Sequence, residues 1–344
     1  MSKADSLGGP SAPDLSAVAG SAAPAPRTTP RRPPDFFIVG HSKSGTTALY
    51  EMLRRHPQIY MPEDKETWYF APELHLRPPP RPTGIARTLE EYLSLFDAAT
   101  PQQRIGEASP MYLWSPTAAA RIAEAQPEAR IIAILREPAS FLRSLHLQFV
   151  EVYVETESDF RRALELEHSR REGRNISRYS YWPQALMYSE YVRYVEQLRR
   201  FESRFGPERL LVLVYDDFRS DNDAVVRRVM RFLEVDDSVP IEVVEANPTV
   251  GVRSQVLHQL VHALSVGHGP VSAGIKRAVK ALTPRQVRRG ALRLTQRRLV
   301  FSDPEQPDWA FMRELRSRFK PEVVALSEYL ERDLLTLWGY DDVE

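Results

Sequence analysis

"FFIVGHSKSGTTALYEMLRRHP", residues 36–57, decides the fold. Phe36 to Val39 is an apolar run with the length of a buried strand. Gly40 and Gly45 bound a short polar loop, and Ala48, Leu49, Met52 and Leu53 then recur at helical spacing until Pro57 ends the pattern. Strand, glycine-bounded loop and helix together make a phosphate-binding loop, in which backbone N–H groups and the helix N-terminus cradle an anion. The ATP-binding version is G-x-x-x-x-G-K-[ST], with a lysine after the second glycine that reaches the outer phosphates. Here Thr46 stands in the lysine's place and Lys43 lies inside the loop. The cradle is kept and the charge has moved.

Two further apolar runs, Ile131 to Leu135 and Leu210 to Val214, have the composition of buried parallel strands, each entering a polar loop at its C-terminal end. Ser115-Pro116 supplies an N-cap and first-turn proline for a helix through Ala125. Tyr188 to Phe205 has the pattern of one long amphipathic helix ending at Gly206-Pro207. Strands alternating with helices predict an α/β fold, a central parallel sheet with helices on both faces. Ligands gather at the carboxyl ends of such strands, so the loops after Val39, Leu135 and Val214 are where chemistry is expected.

With Gly40, His41, Ser42, Lys43, Ser44, Gly45, Thr46 and Thr47 in this order, the loop resembles the 5′-phosphosulfate loop of sulfotransferases that use 3′-phosphoadenosine 5′-phosphosulfate (PAPS). The resemblance extends to "IIAILREPASFLRSLH", residues 131–146. There Arg136 closes a strand and Ser144 follows eight residues later, matching the arginine and serine that hold the donor's 3′-phosphate in that family. A guanidinium fork with a hydroxyl donor suits a terminal phosphate. Weaker matches are "DKETWYF" (64–70), "GEASPMYL" (106–113), "LLVLVYDDF" (210–218) and "FKPEVVALSEYLERDLLTLWGY" (319–340), so the likeness covers about residues 35 to 341. It implies a nucleotide-kinase-like P-loop fold, PAPS as co-substrate and no metal.

Within this resemblance, "KETWYF" is similar to the K-E-x-x-[FY]-F element of the carbohydrate sulfotransferases, which makes Glu66 the general base toward the acceptor hydroxyl and Lys65 its partner. Lys43 is then the charge that stabilises the leaving phosphate, and Thr46 and Thr47 bond the 5′-phosphate. His41 is the rival base, since many small-molecule sulfotransferases use histidine, but its place in the loop faces it toward the donor. Glu107, Ser109 and Tyr112 match an E-x-[ST]-P-x-Y element bordering the cleft, with packing roles an equal alternative. Arg253, in "NPTVGVRS", sits where relatives carry a basic loop over the donor. Two other readings stand beside this one. Asp216 in "LLVLVYDD" matches the magnesium ligand of a kinase or ATPase, although Thr46, Arg136 and Ser144 oppose it, and a degenerate sulfotransferase fold would bind without turnover.

The chain of 344 residues is 42% hydrophobic, with 46 basic and 46 acidic residues, so no overall charge draws it to nucleic acid. It contains no cysteine, which excludes thiolate catalysis and cysteine metal sites. His258 and His262 stand at i, i+4 without a third ligand, and no metal is expected. Residues 1–34, of which 22 are Ala, Pro, Ser or Gly, have the composition of a disordered leader, and residues 35–344 that of a single domain. Without a signal or membrane-spanning stretch the expected location is the cytoplasm.

The acceptor is expected to be a hydroxylated carbohydrate, glycolipid or secondary metabolite, bordered by segments 71–100 and 150–187, with Trp182 able to stack on a ring. Residues 251–302 hold ten basic residues and no acidic one. This block is either a solvated surface balanced by acidic neighbours, or an amphipathic stretch that makes weak, salt-sensitive contact with anionic membranes through 276–298 or faces the acceptor or donor.

Overall fold

The structure is a computed structural model and describes residues 31–63, 65–75, 86, 88–176, 183–243, 251–252, 301–302 and 306–343. Its centre is a five-stranded, wholly parallel sheet of β1 (Phe36–Gly40), β2 (Ile59–Tyr60), β3 (Arg104–Ala108), β4 (Arg130–Leu135) and β5 (Leu210–Val214) in the order β2-β3-β1-β4-β5. Every residue of β1 is buried, which is what an uninterrupted apolar run requires between two helical layers. Alternation divides the core. Phe37, Val39, Ile131, Ala133 and Leu135 face one layer, and Phe36, Ile38, Ile132, Ile134 and Leu213 face the other.

The first layer contains α3 (Ala118–Ala125), α4 (Pro138–Glu151), α8 (Tyr194–Phe205) and α11 (Trp309–Leu330). The second contains α1 (Thr46–Leu53) and α10 (Asn222–Phe232). Shorter helices are α2 (Leu89–Ser94), α5 (Phe160–Glu165), α6 (Glu167–Arg171), α7 (Tyr188–Tyr191), α9 (Tyr215–Ser220) and α12 (Leu334–Trp338), and a separate antiparallel pair joins Gly251–Val252 to Phe301–Ser302. Behind α5 and α6 a buried ion pair joins Arg170 to Glu155 at 2.8 Å, each side chain 1% exposed. Arg170 also donates to the carbonyls of Ala163 and Asn175, and Glu155 accepts from Tyr188 and from two backbone N–H groups, so both charges are fully bonded. Among the described residues no helix is long and apolar enough to cross a membrane.

The three expected strands and the sheet architecture are present, two local expectations are corrected, and one further strand appears. The stretch expected as one helix from Tyr188 to Phe205 is two, α7 and α8, broken at Val192 and Arg193. The break leaves carbonyls without helical partners, and the Gln197 amide donates to two of them, Glu190 O at 2.8 Å and Tyr191 O at 3.1 Å. Helix α3 begins at Ala118 rather than beside Pro116, although the Ser115 hydroxyl does accept the N–H groups of Thr117 and Ala118 at 3.2 and 3.0 Å. Strand β3 was not expected, because "RIGEA" carries one large apolar residue and a carboxylate. Its Gly106 lies under the Phe36 ring, where an added Cβ would come within 2.1 Å of the ring. Trp182, Arg253, His258, His262, residues 1–30 and the basic block 253–298, for which expectations are stated above, lie outside the described residues.

Candidate active site

At the carboxyl edge of the sheet a cleft of about 200 Å³ is lined by Ser42, Lys43, Gly45, Thr46, Thr47, Lys65, Glu66, Pro110, Arg136, Gln148 and Tyr215. These residues come from the loops after β1, β3, β4 and β5, from α4, and from the segment after β2. The phosphate-type loop ends in Gly45 with φ +88°, and the rings of Phe218 and Tyr215 leave 3.0–3.2 Å for a Cβ there, so glycine serves both the turn and the space. Helix α1 follows with no side-chain cap and no acidic residue in its first turn. Its first N–H groups and the positive end of its dipole are therefore available to an anion.

Three cations, Lys43, Lys65 and Arg136, line this opening, and a fourth, Arg143, lies near enough to Arg136 to be perturbed by it. Lys43 is itself in the left-handed region at φ +60°. Burial pulls its ammonium below the ordinary lysine value; Glu151 opposes the shift and Arg136 adds to it. Arg136 donates through Nη1 to the Lys43 carbonyl at 3.2 Å and lies 5.0 Å over the Tyr215 ring. The Arg136 carbonyl accepts from Tyr194 at 2.9 Å, and Glu137 caps α4 by accepting from Ala139 and Ser140, which fixes the strand end that carries the arginine. Arg143 is pulled below its usual value by burial and then by Arg136. Lys65 donates to the Thr47 hydroxyl at 2.8 Å and lies 3.6 Å from the Glu66 carboxylate. Burial lowers its pKa, and Glu66 raises it. The Thr47 hydroxyl, by accepting from Lys65, keeps its own hydrogen for a ligand oxygen.

Glu66 reaches the cleft on a segment held in unusual backbone geometry, with φ +64° at Glu66 and +50° at Trp68. A buried polar knot holds it there. Glu107, 1% exposed at the end of β3, accepts from Thr67 at 3.0 Å, Ser109 at 2.5 Å, Tyr92 at 2.8 Å and Tyr112 at 3.3 Å. Burial raises its pKa, and the four hydroxyls oppose that. The knot takes up the segment's own N–H groups as well: Glu66 donates to Ala108 O at 3.0 Å, Trp68 to Ser109 Oγ at 3.3 Å and Phe70 to the Tyr112 hydroxyl at 3.2 Å. Glu107, Ser109 and Tyr112 thus lie beneath the cleft, where they support its wall, and Pro110 alone of that element lines it.

Lys43, Thr46, Thr47, Lys65, Glu66 and Arg136, expected as one site, share this cleft. His41 does not. Its side chain is 1% exposed, packs against Phe141 and Tyr194, and meets Gln197 Oε1 at 2.7 Å through Nε2; burial, partly offset by that bond, lowers its pKa to about 4. The expected donor-facing imidazole is corrected to a neutral core group, which leaves the His41 backbone alone for the loop. Ser44 is fully buried, Gly40 ends β1, and Ser144 sits on α4, 4% exposed, outside the cleft lining. Asp216 accepts from Trp338 Nε1 at 2.9 Å and is not among the lining residues. Gln148 and Tyr215 were missed. Gln148 lies one helical turn beyond Ser144, and Tyr215 directly follows Val214, so i, i+4 spacing and the strand-end rule were the available signals.

Residues 34–238 match the sulfotransferase family. A membrane-associated sulfotransferase, kil1, from Dictyostelium discoideum is 38% identical over 108 residues, 30% of this chain and 21% of that protein. Carbohydrate sulfotransferase 15 from Mus musculus is 29% identical over 160 residues, 34% of this chain and 27% of that protein. The chain thus matches about a quarter of these relatives' length. A solved sulfotransferase from Alicyclobacillus acidocaldarius superposes with a TM-score of 0.62 at 26% identity, covering 89% of this chain and 99% of that one. The family match spans more than half of the sequence, and the chain belongs to the sulfotransferase family.

Proposed function

We propose that the protein transfers the sulfuryl group of PAPS to a hydroxyl of a carbohydrate, glycolipid or small-molecule acceptor. The observation that carries this reading is the meeting of a carboxylate, Glu66, with Lys43, Lys65 and Arg136 around the uncapped start of α1. That set suits an anionic donor at the helix N-terminus and a base facing it, and a helix start without cap or acidic residue fits a 5′-phosphate.

In the proposed step the acceptor oxygen attacks sulfur in line. The hydroxyl proton passes to the Glu66 carboxylate, a new S–O bond forms, and the bond from sulfur to the 5′-phosphate oxygen breaks with its electron pair leaving on the phosphate. Lys43 and the loop N–H groups stabilise that developing charge, each lost donor costing roughly 3–4 kcal/mol. Arg136, which lines the cleft, holds the 3′-phosphate. Lys65, bonded to Thr47 and beside Glu66, ties the base to the donor loop. Metal is not needed in this scheme, because side chains supply the positive charge.

Incubating the protein with PAPS and a panel of hydroxylated acceptors, followed by mass spectrometry, tests the reading. The expected product is an acceptor heavier by one sulfuryl group, formed with magnesium chelated. Failure of 3′-phosphoadenosine 5′-phosphate to bind in calorimetry, or tighter binding of magnesium-ATP, would overturn it.

A further inference from the structure

Two helix ends late in the chain are built alike. At the end of α11, Glu331 turns into the left-handed region at φ +50° and its N–H donates to Glu328 O at 3.3 Å, while the next N–H, of Arg332, reaches back to Ser327 O at 3.0 Å. At the end of α12, Gly339 has φ +68° and its N–H donates to Thr336 O at 3.2 Å, while the N–H of Tyr340 reaches back to Leu335 O at 2.8 Å. A left-handed residue with this pair of back-bonds satisfies the last carbonyls of a helix and fixes the direction in which the chain leaves it.

Each turn delivers its second residue to an acid beside the donor cleft. Arg332 holds Asp217 through both Nη groups, at 2.5 and 2.7 Å, and Tyr340 donates to Glu137 Oε1 at 2.6 Å. Between them, Trp338 Nε1 donates to Asp216 at 2.9 Å. Tyr340 is fully buried; burial, and after it the Glu137 charge, raises its pKa, so the phenol keeps the proton it donates. Arg316, from α11, lies 3.6 Å from the same Glu137 oxygen and 5.9 Å over the Tyr340 ring. The three acids do not line the cleft, but their chain neighbours do. Glu137 follows Arg136, and Asp216 and Asp217 follow Tyr215; the Arg136 guanidinium lies 5.0 Å over the Tyr215 ring. Glu137 also accepts the N–H groups of Ala139 and Ser140, so Tyr340 meets the residue that joins the end of β4 to the start of α4. The pairing of β4 with β5 ends at Leu135 and Val214. Beyond that point residues 332–340 hold both strand-end loops at once.

We infer that residues 332–340 form a clasp that sets the separation of the loops after β4 and β5, with Tyr340 and Arg332 as positioning residues for Arg136 and Tyr215. The inference rests on the reading of Arg136 as the group that meets the donor's 3′-phosphate. Calorimetry on the full chain with 3′-phosphoadenosine 5′-phosphate and adenosine 5′-phosphate tests it. Tyr340→Phe keeps the ring and removes one hydroxyl. It should lower the preference for the 3′-phosphorylated nucleotide about threefold to tenfold, the range of one hydrogen bond, and leave the affinity for adenosine 5′-phosphate within about twofold. Arg332→Gln lies on a half-exposed pair and leaves the core untouched, and it should shift the same ratio about twofold. In the Arg136→Ala background Tyr340→Phe should leave the ratio unchanged, because a residue that acts through Arg136 then has nothing to position. A packing role alone gives equal losses for both nucleotides, or the same loss with and without Arg136. Either result, or a ratio untouched by both substitutions, overturns the clasp and leaves the sulfotransferase reading standing, provided that wild-type protein prefers the 3′-phosphorylated nucleotide. Wild-type protein without that preference overturns the sulfotransferase reading and the clasp with it.

Discussion

Replacing Arg136 with alanine tests the donor assignment most sharply, because the feature it is proposed to read, a 3′-phosphate, can be removed from the ligand as well. Of the five N–H groups of the guanidinium, one is committed to the Lys43 carbonyl at 3.2 Å, and among the described residues the others have no hydrogen-bond partner that would keep them from forming a fork on a phosphate. Two charge-assisted bonds are worth about 1.5–3 kcal/mol each. Arg143 lies close enough to be perturbed by Arg136, and it can take up part of the charge, so the lower total, about 3 kcal/mol, is expected. That corresponds to a loss on the order of 10²-fold in affinity. The substitution also removes the bond to the donor loop and the contact with Tyr215, and this loosening weakens any nucleotide. The decisive readout is therefore a ratio. Calorimetry should show wild-type protein preferring 3′-phosphoadenosine 5′-phosphate over adenosine 5′-phosphate strongly, and Arg136→Ala should abolish most of that preference. An equal loss for both nucleotides would refute the reasoning, since it would leave Arg136 as a support for the loop alone.

Glu66→Gln should lower kcat by about 10²-fold or more while nucleotide affinity stays within about twofold, because the amide cannot accept the acceptor's proton; single-turnover kinetics would check it, and undiminished turnover would move the base elsewhere. Thr67→Val removes one hydroxyl from the Glu107 knot that positions Glu66, so kcat should fall with little change in nucleotide binding, measured alongside urea denaturation to show that the fold persists. His41 has its pKa lowered to about 4 in the fold against 6.5 when unfolded, so between these values the unfolded chain binds more protons and stability falls as pH falls. Its share is full above the unfolded value and amounts to about 2 kcal/mol lost between pH 7 and pH 5; His41→Gln should flatten that part of the urea-midpoint profile, and an unchanged profile would place the proton uptake elsewhere. Arg170→Leu leaves the buried Glu155 carboxylate unpaired and should cost about 3–5 kcal/mol in urea denaturation.

Strands β1, β4 and β5 were legible because burial on both faces writes an unbroken apolar run, and the loop after β1 because its glycines sit at fixed separations. Strand β3 was hidden for an opposite reason: it packs through a missing side chain, Gly106 beneath Phe36, and it carries a buried glutamate whose four hydroxyl partners are scattered from Thr67 to Tyr112. No local pattern announces such a knot. The same limit applies to His41. Its neighbours in sequence place it in the donor loop, whereas its orientation is set by Gln197, 156 residues later, at a helix break that the amphipathic pattern does not show. Residue identity at the site was local information, and side-chain direction was not.

Lys43, Glu66 and Trp68 are non-glycine residues in the left-handed region, a conformation that costs an L-residue about 1–2 kcal/mol. Glycine removes that penalty and returns about 0.4–1 kcal/mol of it through a freer unfolded chain, for a net gain near 0.5–1 kcal/mol at each position. Two of these three positions bear the charges assigned to the reaction. Selection of variants by heat resistance alone would therefore favour glycine at 43 and 66, and would yield a sturdier protein stripped of its proposed base and of its proposed leaving-group charge. Thermostabilisation of this chain is best confined to other positions, with turnover scored in every round.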